Sequence, residues 1–446
     1  MTTLRKILKS NSIDEMCTNI PYSFLEWLAC ILISLFFINS NLKLIVTILG
    51  SPSANGDFYL YYWHNYNYWC LILGLITLLI YLRKCKLENK AISLFMLIKS
   101  NPIFFLLTLF CLLMTISTIA NGFPEYSLFG YTYRREGLFG HLSYVVYFLL
   151  GAVILKKIHT NFIFKTFYIT ASINIIATAV DYAILDREYN LAQGIAIFAN
   201  ANHYGYYLVV SAMFFALHFV NENKKSKKIS SILMFIITIF VLLINDTFGC
   251  QLALFVGILF TLIIYIISRK KCIPYVFCTM IIIPITFMMG YIFSNTIHDN
   301  INRNFSAFSY NVESIKEEHN DSTGRKNLWK HTLSYISEKP LLGFSADGTH
   351  DRLIEDTNCS GRVHNEFLHY AVCFGIPAAI IYVIFIFLIY LRGLKYKNSL
   401  TDINLTALCL AFTYLASSFV GNTMHYTAPL VYIMLGLGYY SINKLK

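Results

Sequence analysis

Residues 224–271 read KKSKKISSILMFIITIFVLLINDTFGCQLALFVGILFTLIIYIISRKK. Two apolar runs, near 229–246 and 250–268, meet at the short turn Asp246-Thr247-Phe248-Gly249, and a basic cluster closes each outer end. A helix needs roughly 20 apolar residues to cross a bilayer, and each run comes close to that. Lys and Arg collect on the cytoplasmic side of membrane helices. The stretch therefore reads as a helical hairpin with both ends in the cytoplasm and an outward turn, and the turn alone explains Asp246–Gly249.

The same rule, applied outward from this hairpin, gives about twelve spans. They lie near 22–48, 64–82, 102–120, 138–155, 160–180, 203–221, 229–246, 250–268, 273–294, 365–391, 402–420 and 423–441. Gln251, Pro274 and Pro284 fall in or beside spans, which neighbouring helices make tolerable. With the N-terminus inside, 23 of the 35 Lys and Arg fall in cytoplasmic segments, and the short outer connections keep only Arg134, Arg135 and Arg187. That asymmetry places both termini in the cytoplasm and the long 295–363 loop outside. The expected class is all-α: a polytopic membrane protein with spans 1–9 in 1–294, an extracytoplasmic loop in 295–363, and spans 10–12 in 364–446.

Composition agrees. The 446 residues are 57% hydrophobic and 13% charged, with mean hydropathy +0.57. A soluble chain of this length carries about twice that charged fraction. The formal charge of +11 would suggest nucleic acid in a soluble protein, but here its distribution is the informative part, and no nucleic acid is expected. Most of the 11 Cys sit in apolar runs and Cys359 alone in the long loop, so no disulfide framework is implied. The N-terminus shows no cleavable signal pattern, and the run from Tyr22 reads as an uncleaved anchor.

The densest polar block is Asp321–Ala378. Within it, 322–338 reads as an amphipathic helix, with Ser322 or Thr323 as cap and a stripe of Leu328, Trp329, Leu333 and Ile336. Pro340 and Gly343 end it. Such a helix can lie at the interface with Trp329 at headgroup depth, pack on the bundle, or do both. Arg325 and Lys326 at its N-terminal end would face an anion together with the backbone N–H groups. Basic residues outside run against the orientation signal, so Arg134, Arg135, Arg325, Arg352 and Arg362 invite an explanation. A guanidinium cluster suits a diphosphate near the bilayer surface. The plain alternative is pairing with Glu136, Glu317, Glu318 or Asp351.

His364 opens the tenth span, followed by Asn365 and Glu366, with His369 further on. An ionisable group at a span's mouth is a functional candidate, and imidazole can take a proton from a hydroxyl near neutral pH. Taken alone, such a His is more often a hydrogen-bonded interfacial residue. Asn200, Asn202 and His203 enter the sixth span from outside; capping is the plain reading for either Asn, sugar binding the sharper one. Glu317, Glu318, His319 and Asp321 form one acidic cluster and Asp347, His350 and Asp351 another. Neither has a spacing that dictates metal geometry, and solvated loop charge accounts for both. There is no Walker-type loop, GxSxG or CxxC, and no 20–50-residue repeat.

Taken together, the motifs resemble the O-antigen ligase and polymerase family of bacterial membrane glycosyltransferases. The pattern is Arg325, Trp329, Pro340-Leu341-Leu342-Gly343, His364-Asn365-Glu366-Phe367-Leu368, and Gly375 with Ala379 in the following span. Arg135-Glu136-Gly137-Leu138 and Gly194…Phe198-x-Asn200-x-Asn202 match further elements, and the resemblance covers about residues 100–440. It implies a GT-C-like enzyme of the inner membrane that moves a glycan from undecaprenyl diphosphate to a hydroxyl of a glycan, lipid or protein acceptor, with the site on the outer face. By this resemblance His364 is the essential histidine, Arg325 a loop arginine on the diphosphate, and Arg135 a second phosphate contact. The chain departs from the family at Thr247-Phe248-Gly249, where many members carry Ser-Arg-Gly. Arg362 or Arg134 is the expected substitute for that basic group. Val363 also stands where many members have a small residue or Pro.

Physical reasoning points the same way. Nucleotide sugars are not expected outside the cytoplasmic membrane, so the donor arrives on a lipid. Its diphosphate leaves with arginines bearing the developing charge, and His364 deprotonates or orients the acceptor hydroxyl. Direct displacement inverts the anomeric carbon, and the scheme calls for no metal or cofactor. A repeat-unit polymerase is the near alternative. A transporter or lipid flippase is the distant one, and would show charged or broken helices at mid-membrane.

Overall fold

A computed structural model describes residues 5–7, 10–41, 56–88, 94–131, 135–185, 198, 200–304, 306, 325–358, 361–421 and 424–443. Among them there are helices and connections but no strand. In chain order the helices are α1 (Ile13–Asn19), α2 (Tyr22–Asn39), α3 (Gly56–Leu87), α4 (Leu94–Ser100), α5 (Pro102–Ala120), α6 (Glu125–Phe129), α7 (Leu138–Leu149), α8 (Lys157–Val180), α9 (Ala201–Asn221), α10 (Lys225–Asn245), α11 (Phe248–Ser268), α12 (Ile273–Phe293), α13 (Arg325–Glu338), α14 (His350–Thr357), α15 (Glu366–Phe374), α16 (Ile376–Lys395), α17 (Asp402–Ser418) and α18 (Ala428–Asn443). The acidic cluster at 317–321, the proposed caps Ser322 and Thr323, Arg134, and Cys359 all lie outside the described residues.

Each expected span overlaps at least one helix, and among the described residues eight helices are long and apolar enough by themselves to cross a membrane. The protein is an all-α, multi-pass membrane protein. Its helices start where sequence chemistry lets them start. Asn101 caps α5 and precedes Pro102 at the first helical position, where a missing N–H is harmless. Asn200, Asn365 and Thr401 cap α9, α15 and α17 through their side-chain oxygens. Pro284 sits inside α12 without ending it.

Two kinds of helix separate by burial. α9 and α18 are enclosed on nearly all sides; α9 packs on α10, α11 and α17, and α18 on α7 and α17. α12 is the opposite case, with Phe277, Ile281, Ile285, Met288 and Ile292 turned outward. In water such a face would be a liability, whereas against acyl chains it is the expected solvent contact. The tenth expected span, 365–391, is not one helix. α15 ends at Gly375, which has φ +89°, and α16 begins at the next residue. A β-carbon at Gly375 would stand 2.1 Å from the Leu341 carbonyl oxygen. The Pro340–Gly343 hairpin fills this break. Ile376 N–H donates to the Pro340 carbonyl at 2.8 Å, and Phe344 N–H to the Val372 carbonyl at 3.0 Å. The orphan groups at the joint are thereby satisfied.

Candidate functional site

α13 packs against α14 and α15. Leu328, Thr332, Tyr335 and Ile336 are its buried side, and Leu333, expected in the stripe, is 56% exposed. Trp329 is half-buried, and its indole N–H donates to the Val363 carbonyl at 3.0 Å. That bond holds the residue immediately before His364. Arg325, one helical turn before Trp329, is exposed at the N-terminal end of α13. Its charge is within electrostatic reach of Tyr206 in α9 and Cys250 in α11.

His364 is half-buried and has φ +54°, the left-handed region. Asn365 follows as the cap of α15: its Oδ1 accepts from Leu368 N–H at 3.0 Å, and its Nδ2 donates to the Phe419 carbonyl at 3.0 Å. The imidazole is thus carried on a strained residue between two fixed neighbours. Glu366, one residue further, is 2% exposed and accepts from the Tyr382 hydroxyl at 2.8 Å.

Arg362, expected to contact substrate, is fully buried. It donates to Glu136 and, at 3.1 Å, to Asp347. Glu136 also accepts from Tyr144 of α7 at 2.8 Å, and Asp347 from Tyr131 N–H at 3.2 Å. Burial opposes the Arg362 charge, yet the two carboxylates outweigh it and hold the guanidinium above its ordinary range. Of the pairings weighed from sequence, that of Arg362 with Glu136 is present among the described residues. Arg352 likewise pairs with Glu338 at 2.6 Å and lies over the Tyr335 ring.

Arg135 precedes Glu136 directly. It is half-buried, has φ +45°, and lies within electrostatic reach of Tyr68 in α3. Trp329 in α13 and Glu136, the residue after Arg135, are thus both tied to the backbone segment 361–365 that carries His364. Four of the seven non-glycine residues with positive φ among those described are Arg135, Ser345, Asp347 and His364. Each such conformation costs about 1–3 kcal/mol and persists only where surroundings over-determine it.

Asn200 is the cap of α9, accepting from Asn202 N–H at 2.8 Å, and both are exposed. Ala201 beside them accepts from Asn245 and Thr247, which ties α9 to the α10–α11 turn. At that turn Asp246 holds Arg303 and, at 2.7 Å, Asn304. A guanidinium thus does stand beside Thr247-Phe248-Gly249; it is that of Arg303, while Arg362 is engaged elsewhere. Asp347, His350 and Asp351 are used by Arg362, by the Gly361 carbonyl and by the Tyr131 hydroxyl. Sequence reading missed three contributors: Arg303, Tyr206 beneath Arg325, and the buried Glu366–Tyr382 pair. Only Glu366 gave a signal, as a carboxyl leading into an apolar run.

No curated protein matches the chain. The family model described as O-Antigen ligase matches residues 233–383. The match begins inside α10 and ends within α16, so it takes in Arg303, Arg325, Trp329, Arg362, His364 and Asn365, while Arg135, Asn200 and Asn202 lie outside it. Over this region, which carries the histidine and its supporting loop, the chain is similar to the O-antigen ligase family.

Proposed function

We propose that the protein transfers a glycan from undecaprenyl diphosphate to an acceptor hydroxyl at the outer face of the cytoplasmic membrane. The observation that carries this reading is the placement of His364: half-exposed at the mouth of α15, on a strained residue, with Arg325 and Arg135 on the two segments that flank it. His364 takes the acceptor proton as the hydroxyl oxygen attacks the anomeric carbon. The bond from that carbon to the diphosphate oxygen breaks, and the guanidinium groups bear the charge left on the leaving group. Displacement in line inverts the anomeric centre. Asn200 and Asn202, exposed at the start of α9, are placed to meet sugar hydroxyls, Asn365 and Trp329 to hold the histidine segment, and Arg134 adjoins Arg135 in sequence. The scheme needs no metal, since fixed cations already face the diphosphate.

The test uses purified enzyme in lipid nanodiscs with a lipid-linked repeat unit. Wild type should form product only when a glycan, lipid or protein acceptor is added. Chain growth from the repeat alone would establish a polymerase instead. His364→Ala should insert normally and give no product; activity in that variant would end the reading. Movement of the lipid-linked repeat between leaflets without bond formation would indicate a flippase.

A further inference from the structure

We propose that the buried Glu136–Arg362–Asp347 cluster is a positioning device that fixes Arg135 and His364 relative to one another. The inference rests on the transfer reading of His364 given above. Arg362 stands two residues before His364, and Glu136 immediately after Arg135. Their ion pair therefore joins two loops whose functional side chains lie more than two hundred residues apart in sequence.

Each carboxylate is gripped from a second side. The Tyr144 hydroxyl from α7 holds Glu136 at 2.8 Å, and the Tyr131 backbone N–H holds Asp347 at 3.2 Å. The third loop, 345–349, is brought in through Asp347, which itself has φ +54°. Gly361 continues the tie: its carbonyl lies 3.3 Å from His350 Nδ1, whose ring packs 4.2 Å from that of Tyr131. A left-handed residue without glycine's freedom relaxes unless its neighbours are pinned. Arg135 and His364 are both such residues, and each has a member of the cluster within two positions.

Arg is suited to this place and Lys is not. The planar fork reaches two carboxylates from one enclosed position, whereas an ammonium offers a single point charge. A pair that served stability alone could be replaced by uncharged groups of similar volume with little harm. A positioning device could not, since misplacing reacting groups by about 1 Å costs on the order of 100-fold in rate.

The experiment compares wild type, the neutral triple variant Glu136→Gln/Asp347→Asn/Arg362→Met, and Arg362→Lys, all in nanodiscs. It measures thermal midpoint, turnover, and the number of sites that bind a non-transferable phosphonate analogue of the lipid-linked donor. The triple variant should keep about one analogue site per protein while turnover falls on the order of 100-fold. Arg362→Lys should fall between it and wild type. Wild-type turnover in a folded triple variant overturns the proposal. So does a loss of analogue sites in proportion to the loss of turnover, because that is what a purely structural role predicts. Should the triple variant fail to insert, Arg362→Lys decides by the same two criteria. His364→Ala separates the two readings: activity there defeats the transfer reading, whereas a dead His364→Ala beside an active triple variant defeats only the positioning role.

Discussion

Five residues from Gly361 to Asn365 concentrate most of what holds the site. The Val363 carbonyl receives the Trp329 indole N–H at 3.0 Å. Trp329→Phe keeps the ring and removes the donor, so it should lower stability by about 1 kcal/mol. Its effect on turnover should be larger than that loss suggests, because the freed carbonyl adjoins His364. Thermal midpoint and turnover measured on the same preparation check this, and a shift in the midpoint with unchanged turnover would contradict it. The arginines show what could be read beforehand. Arg325 and Arg362 look alike in sequence, each a basic residue in an outer loop. What separates them is Glu136, brought in by the fold from 226 positions away, and no local pattern carries that contact. His364 was legible because its oddity is local: a titratable group at the entrance to an apolar run. Trp329 was legible as important but not as attached, since an indole N–H finds its partner only in three dimensions.

Among the elements, the broken helix α15–α16 is the most informative. From sequence it reads as one span, because hydropathy averages across Gly375. The signal for the break was present in Gly375-Ile376-Pro377, a stop followed closely by a residue suited to a helix start. Gly375→Ala meets two obstacles, φ +89° and a carbonyl oxygen 2.1 Å from the new β-carbon. The joint must open for the side chain to fit, and the Pro340–Gly343 hairpin moves with it. We expect loss of at least about 1–3 kcal/mol, seen as a lowered thermal midpoint and reduced yield of folded protein. An alanine variant as stable as wild type would show that the joint yields easily. The amphipathic segment forms a helix over Arg325–Glu338, but its inner face differs from the expected stripe: Thr332 and Tyr335 point inward, and Leu333 points out. A buried Tyr with a polar tip that reaches Asp356 looks, by composition alone, like a surface residue.

Over the whole molecule, the charge asymmetry assigns a side to each connection. With 23 Lys and Arg on one set of loops and three in the short connections of the other, the site end should face away from the cytoplasm. A single Cys placed at Ser226, in an otherwise Cys-free chain in intact cells, should resist a membrane-impermeant maleimide. One placed at Asp299, whose side chain is 79% exposed, should react. The reverse pattern would invert the assignment and put the site in the cytoplasm. The all-α class was readable in advance because lipid imposes one requirement on every span. Which helices sit at the centre was not, since the enclosed α9 is less apolar than the outward-facing α12, so hydropathy alone does not rank spans by burial.

Glu136 and Arg362 also fix an order of events during synthesis. The carboxylate leaves the ribosome 226 residues before its cationic partner, an interval of roughly 10–45 s at ordinary elongation rates. During that time the membrane helices α7–α12 are made while Glu136 waits with no counter-ion from this cluster. The Glu136–Arg362 pair therefore forms late, and the segment around His364 is completed later still, when the Phe419 carbonyl arrives to hold Asn365. A polypeptide stalled short of residue 362 would lack the pair and the helices α15–α18 that pack around it.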